Sequence, residues 1–122
     1  MTPAETVDAF IGAIERKDVE AAVALVADDC EYDNVPMGAV VGPRAIVDLL
    51  GPMIGSCREV DWVVRRQVAQ GAVVMNERLD RFSLDGRWVE VPVCGVWEVV
   101  DDKIRLWRDY FDLQTFRSQM GG

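Results

Sequence analysis

The hydrophobic period changes at Val60, and that change constrains the fold more than any other feature. Upstream of it, Val7, Phe10, Ile11 and Ile14 recur at i, i+3, i+4 and i+7, the apolar stripe of a helix. Downstream, four runs alternate with the two-residue period of strands: Val60–Val68, Ala72–Ser83, Arg87–Val100 and Lys103–Asp112. The breaks between them are turn signals, Gln70-Gly71, Asp85-Gly86 and Asp101-Asp102. Asp-Gly is the strongest of these, because both residues tolerate a positive φ. Helices followed by a meander of long strands imply an α+β fold, with three to four helices packed against a strongly bent antiparallel or mixed sheet. Such a sheet closing around its helices makes a cone with an interior pocket. No repeat, low-complexity stretch or linker interrupts the chain, so residues 1–122 read as one domain.

Local signals place the remaining elements. Thr2-Pro3-Ala4-Glu5 offers a capping hydroxyl, a proline at the first helical position and a capping-box glutamate. Asp18 caps a second helix expected over Val19–Val26, and Cys30–Val35 reads as a short extended segment ending at Pro36. Gly42-Pro43 marks a turn before a third helix, Arg44–Leu50, which Gly51-Pro52 is expected to stop. Pro92 and Gly95 suggest a bend or bulge in the third long strand. Asp112 caps a last helical turn or two over Leu113–Met120.

Composition narrows the chemistry. The chain has no histidine, which removes Ser-His-Asp triads, Cys-His pairs and HExxH zinc sites. Proton transfer falls to carboxylates, Tyr, Lys, Cys or water. Thirteen Lys and Arg against 21 Asp and Glu give a net charge of -8, a surface that repels phosphate backbones and anionic lipid. Nucleic acid and membranes are therefore not expected as partners. Cys30, Cys57 and Cys94 fit neither a metal pair nor a disulfide framework and read as reduced thiols of a cytoplasmic protein. The N-terminus shows no signal-peptide pattern, and no apolar run approaches the ~18 residues of a membrane span.

Polar residues interrupt the strand pattern. In the second long strand Val74, Asn76, Arg78, Asp80 and Phe82 share one face, and Val73, Met75, Glu77, Leu79 and Arg81 the other. Neither face is cleanly apolar. Arg78 and Asp80 stand side by side. In the fourth, Trp107, Asp109 and Phe111 share a face, which sets a carboxylate between two aromatics, an arrangement that desolvates it. Spacing alone also admits a solvent-facing Arg78–Asp80 pair, or a buried one that only fixes register, and an Asp109 at a strand end.

Three segments, Tyr32-Asp33-Asn34, Asn76-Glu77-Arg78-Leu79-Asp80 and Trp107-Arg108-Asp109-Tyr110-Phe111-Asp112-Leu113, resemble the limonene-1,2-epoxide hydrolases in order and spacing. The resemblance runs from about Thr2 to the end. It implies the cone-shaped NTF2/SnoaL-like fold and water addition to a small apolar epoxide, giving a vicinal diol without metal, cofactor or covalent intermediate. It makes Asp109 the general base for a water that Tyr32 and Asn34 also hold, Asp80 the general acid, and Arg78 the bridge between the carboxylates. Phe82, Val91, Val93, Trp107, Phe111 and Phe116 are the expected apolar wall. Met53 and Cys57, in a loop after the third helix, are expected to close the mouth. The Val-, Pro- and Trp-rich outer strand faces suit a homodimer. Two alternatives stay open. A SnoaL-like cyclase or ketosteroid-isomerase-type enzyme needs only one carboxylate. A non-catalytic NTF2-like binding module does not require the three polar motifs to converge.

Overall fold

The computed structural model describes residues 1–121. Helix α1 (Pro3–Glu15) starts as the capping box requires: Thr2 accepts from the Glu5 backbone and the Glu5 carboxylate accepts from the Thr2 backbone. Its apolar stripe buries Val7, Phe10, Ile11 and Ile14. Helix α2 (Val19–Val23), capped by Asp18, is shorter than expected. By Val26 the chain is already extended as β1 (Val26–Asn34), because the pairing of Val26 with Ile104 claims its backbone for the sheet. A four-residue edge strand, β2 (Gly38–Val41), returns beside β1.

Helix α3 (Pro43–Ser56) runs straight through Gly51-Pro52, against expectation. Proline removes one N–H, which orphans the carbonyl four residues back, at Asp48. Asp48 and Pro52 both lie on the exposed side, where water can serve that carbonyl, and continuing the helix buries Ile54.

The long strands are β3 (Val60–Gln70), β4 (Val73–Leu84), β5 (Arg87–Val100) and β6 (Lys103–Tyr110), followed by α4 (Leu113–Gln119) with Asp112 as its cap. Asp85 and Gly86, like Asp101 and Asp102, have the positive φ values of tight hairpins. The sheet order is β2-β1-β6-β5-β4-β3. Neighbours are antiparallel except β1 and β6, whose parallel pairing makes the sheet mixed. The β4–β5 register runs unbroken past Pro92 and Gly95, so no bulge forms there. Register shifts fall instead at Val64/Arg66, Glu98/Val99 and Val26/Glu31.

Helix α1 lies over the concave face. Phe10 meets the rings of Trp97 and Trp107 edge-on at 5.6 and 5.0 Å. Trp107 in turn lies flat between Tyr32, at 3.7 Å, and Trp97, at 4.9 Å. This aromatic stack follows one row of the sheet, Tyr32–Trp107–Trp97, and floors the interior. Fully burying a side chain such as Phe10 contributes roughly 1.5–3 kcal/mol.

Candidate active site

The next row of the sheet is polar on every strand except at Gly95. Asn34 on β1 pairs with Asp109 on β6, Asp109 with Gly95 on β5, Gly95 with Asn76 on β4, and Asn76 with Gln67 on β3. Alternation then carries Arg78 and Asp80 onto the same interior face, two and four residues along β4. Asp80 sits in register with Trp62 and Val91. The three motifs, distant in sequence, thus meet within a few strand widths.

Arg78 is completely buried and joins them. Its Nε and Nη2 donate to the two oxygens of Asp80 at 2.9 and 3.0 Å, and Nη2 also donates to Asp109 Oδ2 at 3.0 Å. Asp109 Oδ1 accepts from Trp107 Nε1 at 2.8 Å, so each oxygen of that carboxylate holds one donor. Beside it the Tyr32 hydroxyl donates to Asn34 Oδ1 at 2.8 Å. Burial pushes Asp80 up to about 6, with the Asp109 charge adding to it and Arg78 opposing. Burial also raises the Tyr32 phenol well above its ordinary range, the Asp109 charge reinforcing it, so Tyr32 stays neutral. Burial works against the charge on Arg78, but the two carboxylates outweigh it and raise its proton affinity. The guanidinium is a fixed cation.

These groups open onto a cavity of about 220 Å³. That is below the ~300–1,000 Å³ typical of pockets for drug-sized ligands. Asp80, Asp109, Tyr32 and Asn34 form its polar end. Phe82, Val91, Val93, Phe111 and Phe116 line the rest. Trp107 does not line it. The ring is wholly buried in the aromatic stack behind Asp109, where it serves as a hydrogen-bond donor. Met53 lines the cavity from α3 rather than from a loop, whereas Cys57 caps that helix, buried, with Sγ against the Met53 carbonyl at 3.1 Å. Among the described residues no three His, Cys, Asp or Glu side chains gather to hold a metal ion.

The family model of the limonene-1,2-epoxide hydrolase catalytic domain matches residues 1–121. The chain belongs to the limonene-1,2-epoxide hydrolase family. The chain is 38% identical over 107 residues to epoxide hydrolase EphG of Mycobacterium tuberculosis, a match that covers 88% of this chain and 71% of that protein. The solved structure of an M. tuberculosis limonene-1,2-epoxide hydrolase-like epoxide hydrolase superposes with a TM-score of 0.84 at 35% identity, over 95% of this chain and 86% of the other. A putative SnoaL-like polyketide cyclase from Shewanella putrefaciens gives a TM-score of 0.87 at 16% identity, over 99% of this chain and 97% of that one. At that identity the likeness shows the shared NTF2/SnoaL-like fold alone.

Several residues of this limonene-1,2-epoxide hydrolase family member escape a reading of the motifs. Met37, Leu49, Leu50 and Trp62 complete the cavity wall from the β1–β2 turn, α3 and β3. Helical and extended apolar positions look alike whether they face core or cavity, so nothing local marks them. Asn76 did carry a signal: a polar side chain on the same strand face as Arg78 and Asp80. It is buried, and its Oδ1 accepts from Arg78 Nη1 at 3.0 Å.

Proposed function

We propose that the protein adds water to a small apolar epoxide in one step, with Asp109 as general base and Asp80 as general acid, releasing a vicinal diol. The observation that carries this reading is Arg78 hydrogen-bonded to both carboxylates at once. With both ionised, the buried triad has a net charge of -1, and one proton neutralises it. Burial favours that proton on Asp80, at the cavity wall. One acid and one base side by side is what epoxide opening needs.

The water site follows from donor and acceptor counting. Tyr32 spends its proton on Asn34 Oδ1, which leaves a phenolic lone pair and the Asn34 amide hydrogens. A water donating to Asp109 and to the Tyr32 oxygen, and accepting from Asn34 Nδ2, keeps one lone pair for the substrate. As that oxygen bonds to an epoxide carbon, Asp109 takes the water proton. The ring C–O bond breaks and its oxygen takes the proton of Asp80. Exchange of a proton from Asp109 to Asp80 through solvent resets the site. Nothing in this sequence requires an ester to the enzyme, a metal or a cofactor. Each proton transfer contributes ~10²–10⁴-fold. An isomerase or cyclase would use one base and has no evident role for a cation pinned between two carboxylates.

The apolar wall supports a hydrocarbon-like epoxide. Exposed Val63, Val68 and Met75 on the outer face of β3 and β4 support a homodimer, which sedimentation velocity would show at twice the chain mass. Free Cys30, Cys57 and Cys94 support a reducing, cytoplasmic setting; none of the helices is long and apolar enough to cross a membrane, among the described residues. The test is hydrolysis of limonene oxide and cyclohexene oxide in ¹⁸O-water under single-turnover conditions. The diol is expected to carry label from the first turnover. Unlabelled first-turnover diol would mean an enzyme nucleophile and end the one-step reading.

A further inference from the structure

Carboxylates occupy three of the hydrogen-bonding directions of Arg78, and Nη1 lies outside them. Nη1 donates at 3.0 Å to Oδ1 of Asn76, a side chain that is itself buried. The same oxygen accepts from Trp97 Nε1 at 3.2 Å, and Asn76 Nδ2 donates to Gln67 Oε1 at 3.0 Å. Gln67 Nε2 then donates to Asp8 Oδ1 at 3.0 Å, on α1. The direction of this chain is fixed from its outer end. An ionised Asp8 only accepts, so Gln67 turns its amide nitrogen outward and its oxygen inward. Asn76 must then meet Gln67 with nitrogen and Arg78 with oxygen. A flipped amide would set N–H groups against both Arg78 and Trp97.

The backbone makes room for this junction at one point. Gly95 lies opposite Asn76 on one side and Asp109 on the other. A Cβ there would stand 2.4 Å from Arg78 Nη1, 2.7 Å from Asn76 Oδ1 and 2.9 Å from Trp97 Nε1. Any larger residue would fill the space in which the three groups meet. The missing side chain lets the guanidinium reach from β4 across β5 to β6.

We propose that Asn76, held by Trp97 and Gln67 over the gap at Gly95, is a positioning residue that sets the tilt of Arg78 and thereby the placement of Asp80 against Asp109. The inference rests on the hydrolase reading for its catalytic consequence. Asn76 touches no reacting atom. Its neutrality matters: it satisfies a buried N–H of Arg78 without adding a third negative charge to the triad. An apolar residue in its place would leave a buried N–H of Nη1 without its acceptor, free to pull the guanidinium out of its present tilt.

Two substitutions test this. Asn76→Leu removes the acceptor without touching the cavity wall; kcat should fall about 10²-fold, the scale of a small misplacement of catalytic groups, with KM nearly unchanged. Asn76→Asp keeps an acceptor in place but adds a charge. Facing that position are Arg78 and Asp80 on its own strand, Asp109 from β6, neutral Gln67 from β3 with Asp8 of α1 beyond it, and Gly95 and Trp97 from β5. The new carboxylate would share Arg78 with Asp80, so Asp80 should hold its proton to higher pH, read from its ¹³C carboxyl resonance by NMR. A folded Asn76→Leu enzyme with wild-type kcat overturns the proposal, and so does an Asp80 titration unchanged in Asn76→Asp. Should Asn76→Leu not fold, the titration decides alone. Should the wild type hydrolyse no epoxide, the hydrolase reading falls, while the titration still reports on Asn76 and Arg78.

Discussion

Asp80 and Asp109 are the same side chain in two hydrogen-bonding settings. Asp80 has both oxygens turned to one guanidinium, while Asp109 divides its oxygens between Arg78 and an indole N–H. An acid that must be protonated loses activity as pH rises through its pKa. Since burial lifts Asp80 to about 6, kcat/KM should decline on the basic side with a midpoint near that value, well above ordinary carboxylates. A pH–rate profile with no basic-side decline below pH 8 would exclude Asp80 as the acid. Asp80→Asn and Asp109→Asn should each abolish turnover, with circular dichroism unchanged. Trp107→Phe keeps the stacked ring but removes the donor to Asp109. A hydrogen bond to a charged group is worth about 1.5–3 kcal/mol, so kcat should drop by roughly 10–100-fold while KM holds. Strand parity places Trp107 on the face of Asp109, and that much is legible from the sequence. Whether the ring lines a cavity or stands behind a carboxylate depends on neighbours from β1 and β5, which parity cannot supply.

Elements with strong local signals form where the chain predicts them. The capping box of α1, the Asp112 cap of α4 and the Asp85-Gly86 hairpin each need only a few adjacent residues. The elements that escape are those settled by distant partners. Strand β2 has four mostly exposed residues and exists because β1 offers it an edge, and α3 outlasts Pro52 because Ile54 has a core to enter. Helix α4 shows the same dependence. It buries none of its own residues, yet it carries Phe116 to the cavity. What fastens it is Gln119. Its Oε1 accepts from the Glu90 backbone N–H at 2.8 Å and its Nε2 donates to the Glu90 carbonyl at 2.7 Å. Strand β6 pairs with β5 only as far as Cys94, so Glu90 faces a bare edge and the side-chain amide stands in for a strand. Gln119→Ala should release α4 without touching Asp80, Arg78 or Asp109. Faster hydrogen exchange over residues 113–119 and a several-fold higher KM at nearly constant kcat are expected; unchanged exchange would show that Phe116 alone holds the helix down.

At the scale of the molecule, the sheet exists in a form that places a charged triad where most sheets of this size put hydrocarbon. The period change at Val60 made the α+β class and the helix-covered bent sheet legible. The parallel pairing of β1 with β6 was not, because it joins segments some 75 positions apart, yet it alone brings Tyr32 and Asn34 to Asp109. That arrangement has a thermodynamic consequence. Asp80 has an ordinary value of 3.8 and rises to about 6 in the folded chain. Between those values the native state keeps a proton that the unfolded chain has released. Stability therefore falls as pH rises through that window, and above it the full penalty, on the order of 3 kcal/mol, is present. Glu5 and Asp112 act in the opposite sense. Hydrogen bonds from Thr2 and Thr115 lower them, so their contribution is present above the ordinary carboxylate range and lost as pH falls. The two trends put the stability maximum at the acid edge of that window, near the ordinary carboxylate range, rather than at pH 7. Urea unfolding from pH 4 to 8 should show stability falling through that window and level above it. In Asp80→Asn the decline from pH 4 to 6 should flatten, because the group that titrates there is gone. A wild-type decline that survives in Asp80→Asn would assign the buried proton, and its stability cost, to another group.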